Sequence, residues 1–104
     1  SIQALPDLFF TNVSAVKHGR YLDAGFIVKN QGLINARGIS VEIYSGEKIE
    51  SFEIGLIEFG AGKILSVKNL KLPSRDTGEI EFFINYSEKE IDKGNNNIKL
   101  TLAK

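Results

Sequence analysis

The chain has 104 residues, of which 42% are hydrophobic and 25% charged, as in one ordinary globular domain. Thirteen basic residues balance thirteen acidic ones, and no apolar run approaches the ~20 residues of a membrane span, so we expect neither nucleic-acid binding nor membrane insertion by this segment. Cysteine is absent and His18 is the only histidine, which excludes disulfides, thiolate metal sites and thiol nucleophiles.

The side-chain composition favours β-structure. Isoleucine, valine, phenylalanine and tyrosine supply 28 residues and alanine only six, a bias typical of pleated, half-buried surfaces. Apolar and polar residues alternate with period two, most clearly from Ile80 to Tyr86, where Phe82 lies in the row predicted to face the core. In chain order we predict seven strands, over Asp7–Val16, Tyr21–Lys29, Gly38–Tyr44, Lys48–Ile54, Lys63–Leu72, Gly78–Tyr86 and Asn97–Ala103.

The segments between the predicted strands carry turn residues. In Asn30-Gln31-Gly32 we expect the asparagine side chain to accept a backbone N–H and Gly32 to take a positive φ. Such chemistry fixes strand register, and the alternative is a loop that presents amide groups to a sugar or a partner. Seven short strands with turn signals near ten-residue spacing predict an all-β, immunoglobulin-like antiparallel β-sandwich.

Five short segments also form a pattern along the chain. They are Leu5–Phe10, Phe26–Gly32, Val41–Gly46, Leu56–Gly62 and the pair Asn96-Asn97. Their order and spacing resemble the CARDB family, the cell adhesion related domain found in bacteria and in archaeal surface proteins. The matching features are a Pro-Asp-Leu start of the first strand, a Val-x-Asn-x-Gly turn, a strand closing on Tyr-Ser-Gly, a Leu-x-x-x-Gly turn and paired asparagines before the last strand.

The resemblance implies an immunoglobulin-like domain of large, exported, multidomain proteins. The chain contains no methionine, and we expect residues 1–104 to form a single domain that is part of a longer polypeptide. The expected location is extracellular or the cell surface. Neighbouring domains of the same chain are the expected partners, together with a surface protein or a glycan, and no cofactor is expected.

The segment before the last strand contains the candidate metal ligands. Family members usually carry an acidic run there, whereas in this chain Lys89 and Lys93 interrupt the acidic residues. Calcium takes six to eight oxygen ligands, which a loop of carboxylates and amides can supply, but no EF-hand spacing is present. We therefore expect no resident metal, and the candidates for a calcium site are Glu88, Glu90, Asp92, Asn95 and Asn96.

Two aromatic residues break the polar outer rows of their predicted strands. Tyr44 and Phe83 both point outward in the alternation, and exposed apolar groups of this kind often mark contact surfaces. We predict that they form a contact surface, with packing against a neighbouring domain or loop as the alternative. His18, between two cationic residues in a predicted turn, is interpreted as a solvated turn residue rather than a catalytic base.

These observations predict a non-catalytic module of a cell-surface or secreted protein. It would act as a spacer or as a protein-interaction domain, since a sandwich that keeps its termini at opposite ends can form a stiff stalk in tandem copies. The alternative is a carbohydrate-binding module. The absence of tryptophan and the presence of only three tyrosines count against that alternative, because sugar rings stack on exposed aromatic platforms.

Overall fold

A computed structural model describes residues 4–94 and 96–103 of the chain. These residues form seven strands and no helix, so nothing among them could cross a membrane as a helix. The strands are β1 (Leu8–His18), β2 (Tyr21–Asn30), β3 (Ala36–Ser45), β4 (Glu47–Ile57), β5 (Gly62–Lys71), β6 (Glu79–Asn85) and β7 (Asn97–Thr101).

The strands form two antiparallel sheets packed face to face. One sheet has the order β1-β2-β5 and the other β4-β3-β6-β7. The fourth strand pairs with the third, with Ser40 opposite Glu53. It therefore lies in the larger sheet, whereas in immunoglobulin constant domains the fourth strand joins the sheet of the first two. The predicted fold class, an all-β immunoglobulin-like sandwich of about seven strands, is confirmed.

Strands β3 and β4 are both longer than predicted, and a glycine lies at the place where each predicted strand stops short. Gly38 and Gly55 were interpreted as boundary residues, yet β3 begins at Ala36 and β4 continues to Ile57. Both glycines have positive φ, 67° and 82°, and the β3–β4 register shifts beside them. They are β-bulges inside paired strands, where glycine takes the backbone conformation that other residues avoid.

The core is a layer of aliphatic and phenyl side chains between the sheets. Phe82 of β6 has no exposed surface, as the predicted inner row requires. Its ring centre lies 5.5 Å from that of Phe26 and 6.1 Å from that of Phe10, both on the opposite sheet. Phe10 and Phe26 meet edge to face at 5.7 Å. This cluster of three rings joins the two sheets at the centre of the sandwich.

The described ends of the chain lie at opposite ends of an elongated body of 51 × 20 × 19 Å. Near residue 4, the chain runs between two loops, because the Leu33 and Ile91 amides donate to the carbonyls of Leu5 and Pro6. We call this end the N-terminal pole; it carries the β2–β3, β4–β5 and β6–β7 connections. At the other end, the C-terminal pole, the Leu102 amide donates to the Gly78 carbonyl, just before β6.

Candidate functional site

The two aromatic residues predicted as a contact surface lie together on the outer face of the four-stranded sheet. Tyr44 is opposite Glu81 and Phe83 is opposite Glu42, so the two rings are diagonal neighbours on adjacent strands. Their centres are 5.3 Å apart and their planes meet at 81°. Both side chains are partly exposed. The edge-to-face contact holds two perpendicular rings at one place on an otherwise polar face.

A shallow depression of about 460 Å³ opens beside these rings. It is lined by Glu42, Tyr44, Phe83, Ile84 and Asn85. The Glu42 carboxylate is paired with Lys48, whose Nζ lies 3.2 Å from Oε2. The lining thus combines two aromatic rings, an amide and a carboxylate whose charge is balanced. Such a mixture of apolar walls and a few polar groups is typical of small-ligand sites.

The candidate calcium ligands do not form a cluster of free oxygens. Glu88 and Asp92 are exposed, Glu90 and Asn96 are buried, and Asn95 lies outside the described residues. Within residues 4–94 and 96–103, no three acidic or histidine side chains are arranged to hold a metal ion. The Asp92 carboxylate instead accepts the Gly94 amide at 2.8 Å, as in a local turn.

Glu90 has a structural role that the sequence did not reveal. Its Oε1 accepts the Leu8 amide at 2.9 Å and its Oε2 accepts the Asn96 side-chain amide. Lys93 lies 3.8 Å from the same carboxylate and also donates to the Tyr86 carbonyl. Burial, together with the nearby charges of Glu88 and Glu90, raises the pKa of the Tyr86 hydroxyl. The loop before β7 is therefore closed onto the start of β1 by a buried carboxylate.

The Glu90 network gives a test of the loop. Glu90→Ala is expected to lower the free energy of unfolding by about 2–3 kcal/mol, because the buried Leu8 and Asn96 donors lose their acceptor. Glu90→Gln should cost less than about 1 kcal/mol. The Oδ1 atom of Asn96 is buried and has no partner among the described residues, so rotation of the Asn96 amide would let this oxygen accept from the new Gln amide. Urea unfolding measures both changes.

The same variants also test whether the candidate calcium ligands bind calcium, which we do not expect. Thermal unfolding of the metal-free protein with and without calcium would detect binding as a rise in Tm, since a ligand of the folded state stabilises it. Calcium bound through this loop would raise the Tm of the wild type and would do so less for Glu90→Gln. A loop that acts only through hydrogen bonds would give the same Tm with and without calcium in both proteins.

Asn30 is the centre of a hydrogen-bond network at the N-terminal pole. Its Oδ1 accepts the amides of Asp7 and Gly32 at 3.1 and 3.0 Å. Its Nδ2 donates to the carbonyls of Ile34 and Ile57 at 2.9 and 3.1 Å. The residue is 1% exposed. The prediction that the Asn30 side chain accepts a backbone N–H within its turn is confirmed. The same side chain also binds the backbone at the start of β1 and at the end of β4.

The expectation for Gly32 was wrong in its mechanism. Gly32 does not have a positive φ, and the structure gives a different reason for the missing side chain. A Cβ at this position would lie 2.4 Å from both the Asp7 nitrogen and the Leu5 carbonyl oxygen. Glycine is therefore required because the backbone of residues 5–7 passes directly over it.

The N-terminal pole also exposes four large apolar side chains that sequence analysis missed. Leu33 and Ile34 are 58% and 40% exposed, Phe59 is 62% and Ile91 is 54%. They come from three different loops, and Leu33 and Ile91 flank residues 5–6. Their sequence signal is the presence of apolar residues inside segments otherwise rich in Gly, Asn and charge.

His18 is not a turn residue but the last residue of β1, where its side chain is half exposed and faces a carboxylate. Its Nε2 lies 3.3 Å from Asp23 of the adjacent strand. The pKa of the Asp23 carboxyl is lowered, chiefly by the hydrogen bond from the Asn69 amide; desolvation opposes this effect, and His18 and Lys68 add to it. The His18 side chain remains in contact with solvent.

Comparison with known proteins bears on the fold. No protein-family profile matches the chain, and neither does any curated protein. Among solved structures, it is similar to the CARDB domain of the PF1109 protein from Pyrococcus furiosus, which was solved in complex with di-metal ions. The TM-score is 0.73 at 16% identity, over 98% of this chain and 97% of that one. The chain has the CARDB fold.

A second solved structure gives a weaker likeness. A DUF3823 family protein from Bacteroides ovatus matches with a TM-score of 0.56 and 15% identity, over 95% of this chain and 56% of that chain. The resemblance that the sequence motifs suggested is thus confirmed at the level of the CARDB fold.

Proposed function

We propose that this chain is a non-catalytic structural module of a multidomain cell-surface or secreted protein, in which it acts as a spacer or protein-interaction domain. The observation that carries the proposal is its shape. The body is 51 Å long and about 20 Å wide, and residues 4 and 103 lie at opposite poles. A module of this form adds its full length to a chain of similar modules. The CARDB fold supports an adhesion-related setting.

The exposed apolar side chains at the N-terminal pole support contact with a neighbouring domain of the same polypeptide. Leu33 and Ile91 flank the point where the backbone of residues 5–6 meets the sandwich, and Phe59 is exposed at the same pole. A domain joined ahead of this point would be held against the pole by the chain itself. Burial of these side chains would then stabilise a fixed angle between the two domains, at about 25 cal/mol per Å² of apolar surface.

A tandem of two copies tests the spacer role by small-angle X-ray scattering. We expect a maximum dimension near 100 Å, about twice the 51 Å of one module. A matched tandem carrying Phe59→Ser and Ile91→Ser should keep its fold but show a broader distribution of distances, because the modules would move more freely. A wild-type tandem that folds back to a compact pair would contradict the proposal.

In this conformation, metal binding by the Glu90 carboxylate would compete with hydrogen bonds and with a nearby cation. Both oxygens of Glu90 already accept N–H groups, and the Lys93 ammonium lies 3.8 Å away. The prediction remains that no metal is resident, with Glu88, Glu90, Asp92, Asn95 and Asn96 as the candidate calcium ligands, and the thermal measurements with the Glu90 variants test it.

Carbohydrate binding is the second candidate function. It is favoured by one observation, the depression beside Tyr44 and Phe83, which combines aromatic rings with an amide and a carboxylate. The two functions are compatible, since a spacer can also carry a surface that attaches to a polymer.

A further inference from the structure

We propose that the depression beside Tyr44 and Phe83 binds a sugar ring of an uncharged polysaccharide. The proposal rests on the adhesion-related function above and names the ligand class of its contact surface. It concerns the outer face of the four-stranded sheet, formed there by β3 and β6.

The aromatic pair supplies the apolar half of the site. A pyranose ring has one face of C–H groups, which packs on the face of an aromatic ring. Tyr44 and Phe83 are fixed on neighbouring strands and meet at 81°, so they form a corner rather than a flat stack. Such a corner lets a sugar pack on one ring while its edge touches the other. Since the paired strands already fix both rings, binding costs little side-chain entropy.

The rim of the depression supplies the polar half. Asn85 is exposed at the end of β6, and its amide makes no side-chain hydrogen bond within the described part of the chain, so both a donor and an acceptor are available. Glu42 holds Lys48 through Oε2, and its carboxylate can accept a further hydroxyl. Sugar hydroxyls both donate and accept, which matches this mixed rim.

Charge decides among the ligand classes that such a corner could take. Perpendicular rings beside a carboxylate also suit an organic cation. Here, however, Lys48 lies 3.2 Å from the Glu42 carboxylate and balances its charge, and the other lining residues are uncharged. A cationic ligand would have to displace Lys48, and an anionic ligand would meet Glu42. The volume of about 460 Å³ falls in the range of about 300–1,000 Å³ of small-ligand sites.

Affinity electrophoresis in gels that contain a soluble polysaccharide tests the proposal. The uncharged probes are laminarin, xylan and mannan, and the charged probes are alginate and chitosan. We expect at least one uncharged polymer to retard the protein, with binding weakened at least tenfold by Tyr44→Ala and by Asn85→Ala. The control is Phe59→Ala, which removes a more exposed phenyl ring at the N-terminal pole and should leave retardation unchanged.

A nuclear magnetic resonance titration of the unmodified chain keeps the test independent of variant folding. Addition of a short oligosaccharide of the retarding polymer should shift the amide signals of Glu42, Phe83 and Asn85 and leave those of Leu33, Phe59 and Ile91 in place. The proposal is overturned if no uncharged polymer binds, if Phe59→Ala weakens binding as much as Tyr44→Ala, or if only chitosan binds. None of these outcomes would change the scattering of the tandem, so the spacer role stands or falls separately.

Discussion

Phe82→Ala is expected to lower the free energy of unfolding by about 3–5 kcal/mol, a large share of the stability of a domain of this size. Phe82 has no exposed surface, and its ring contacts those of Phe10 and Phe26 across the space between the two sheets. Removing it leaves a cavity at the point where the sheets are joined, and strands fixed by their ladders on both sides cannot collapse to fill it. Urea unfolding followed by tyrosine fluorescence or circular dichroism measures the change.

Two neighbouring positions provide matched controls for Phe82. Phe83→Ala removes the same ring from the next residue, whose side chain is partly exposed on the outer face of the sheet and contacts Tyr44 there. Glu81→Ala removes an outward side chain that accepts the Asn97 amide at 2.7 Å. Both should cost about 1 kcal/mol or less. Comparable losses at positions 81, 82 and 83 would mean that the assignment of inner and outer rows is wrong.

The sequence was enough to predict which side chains of a strand face the core, because apolar and polar residues alternate along it. The inner row of β6, with Ile80, Phe82 and Ile84 all buried, follows from period two alone. Alternation says nothing about which strand lies beside which. The position of β4 next to β3, rather than in the other sheet, depends on pairings such as Val41 with Phe52 that only the folded chain reveals.

For the candidate sites too, the sequence predicts the direction of a side chain but not its distant neighbours. Tyr44 and Phe83 were predicted as outward residues, but their contact depends on a register in which Tyr44 lies opposite Glu81, 37 positions along the chain. Glu90 sits in a segment of alternating charge that resembles a solvated loop. It is buried because residues 5–8, more than 80 positions away, are held against it. Local pattern cannot report contacts of that separation.

Asn30→Ala is expected to destabilise the protein about as much as the loss of the Phe82 ring, by about 3–5 kcal/mol. The side chain satisfies two backbone amides and two backbone carbonyls in a site that is 99% buried from solvent. Leaving a buried polar group without a partner costs about 1–3 kcal/mol, and water entering the vacated space would recover part of that sum. The four backbone groups belong to the start of β1, the β2–β3 turn and the end of β4. Without the Asn30 side chain, these three segments of the N-terminal pole are no longer bound to one another through it.

Asn35→Ala is the matched control, because this asparagine lies five residues away and its side chain accepts one amide, that of Phe59, in an exposed position. Its loss should cost about 0.5–1 kcal/mol, since water can replace the bond. Hydrogen exchange separates a local from a global effect: in Asn30→Ala, the amides of Leu33 and Gly60 should exchange faster than those of the strand centres. Equal costs for the two substitutions would show that burial of the Asn30 network adds nothing, and that the pole is held by its backbone hydrogen bonds alone.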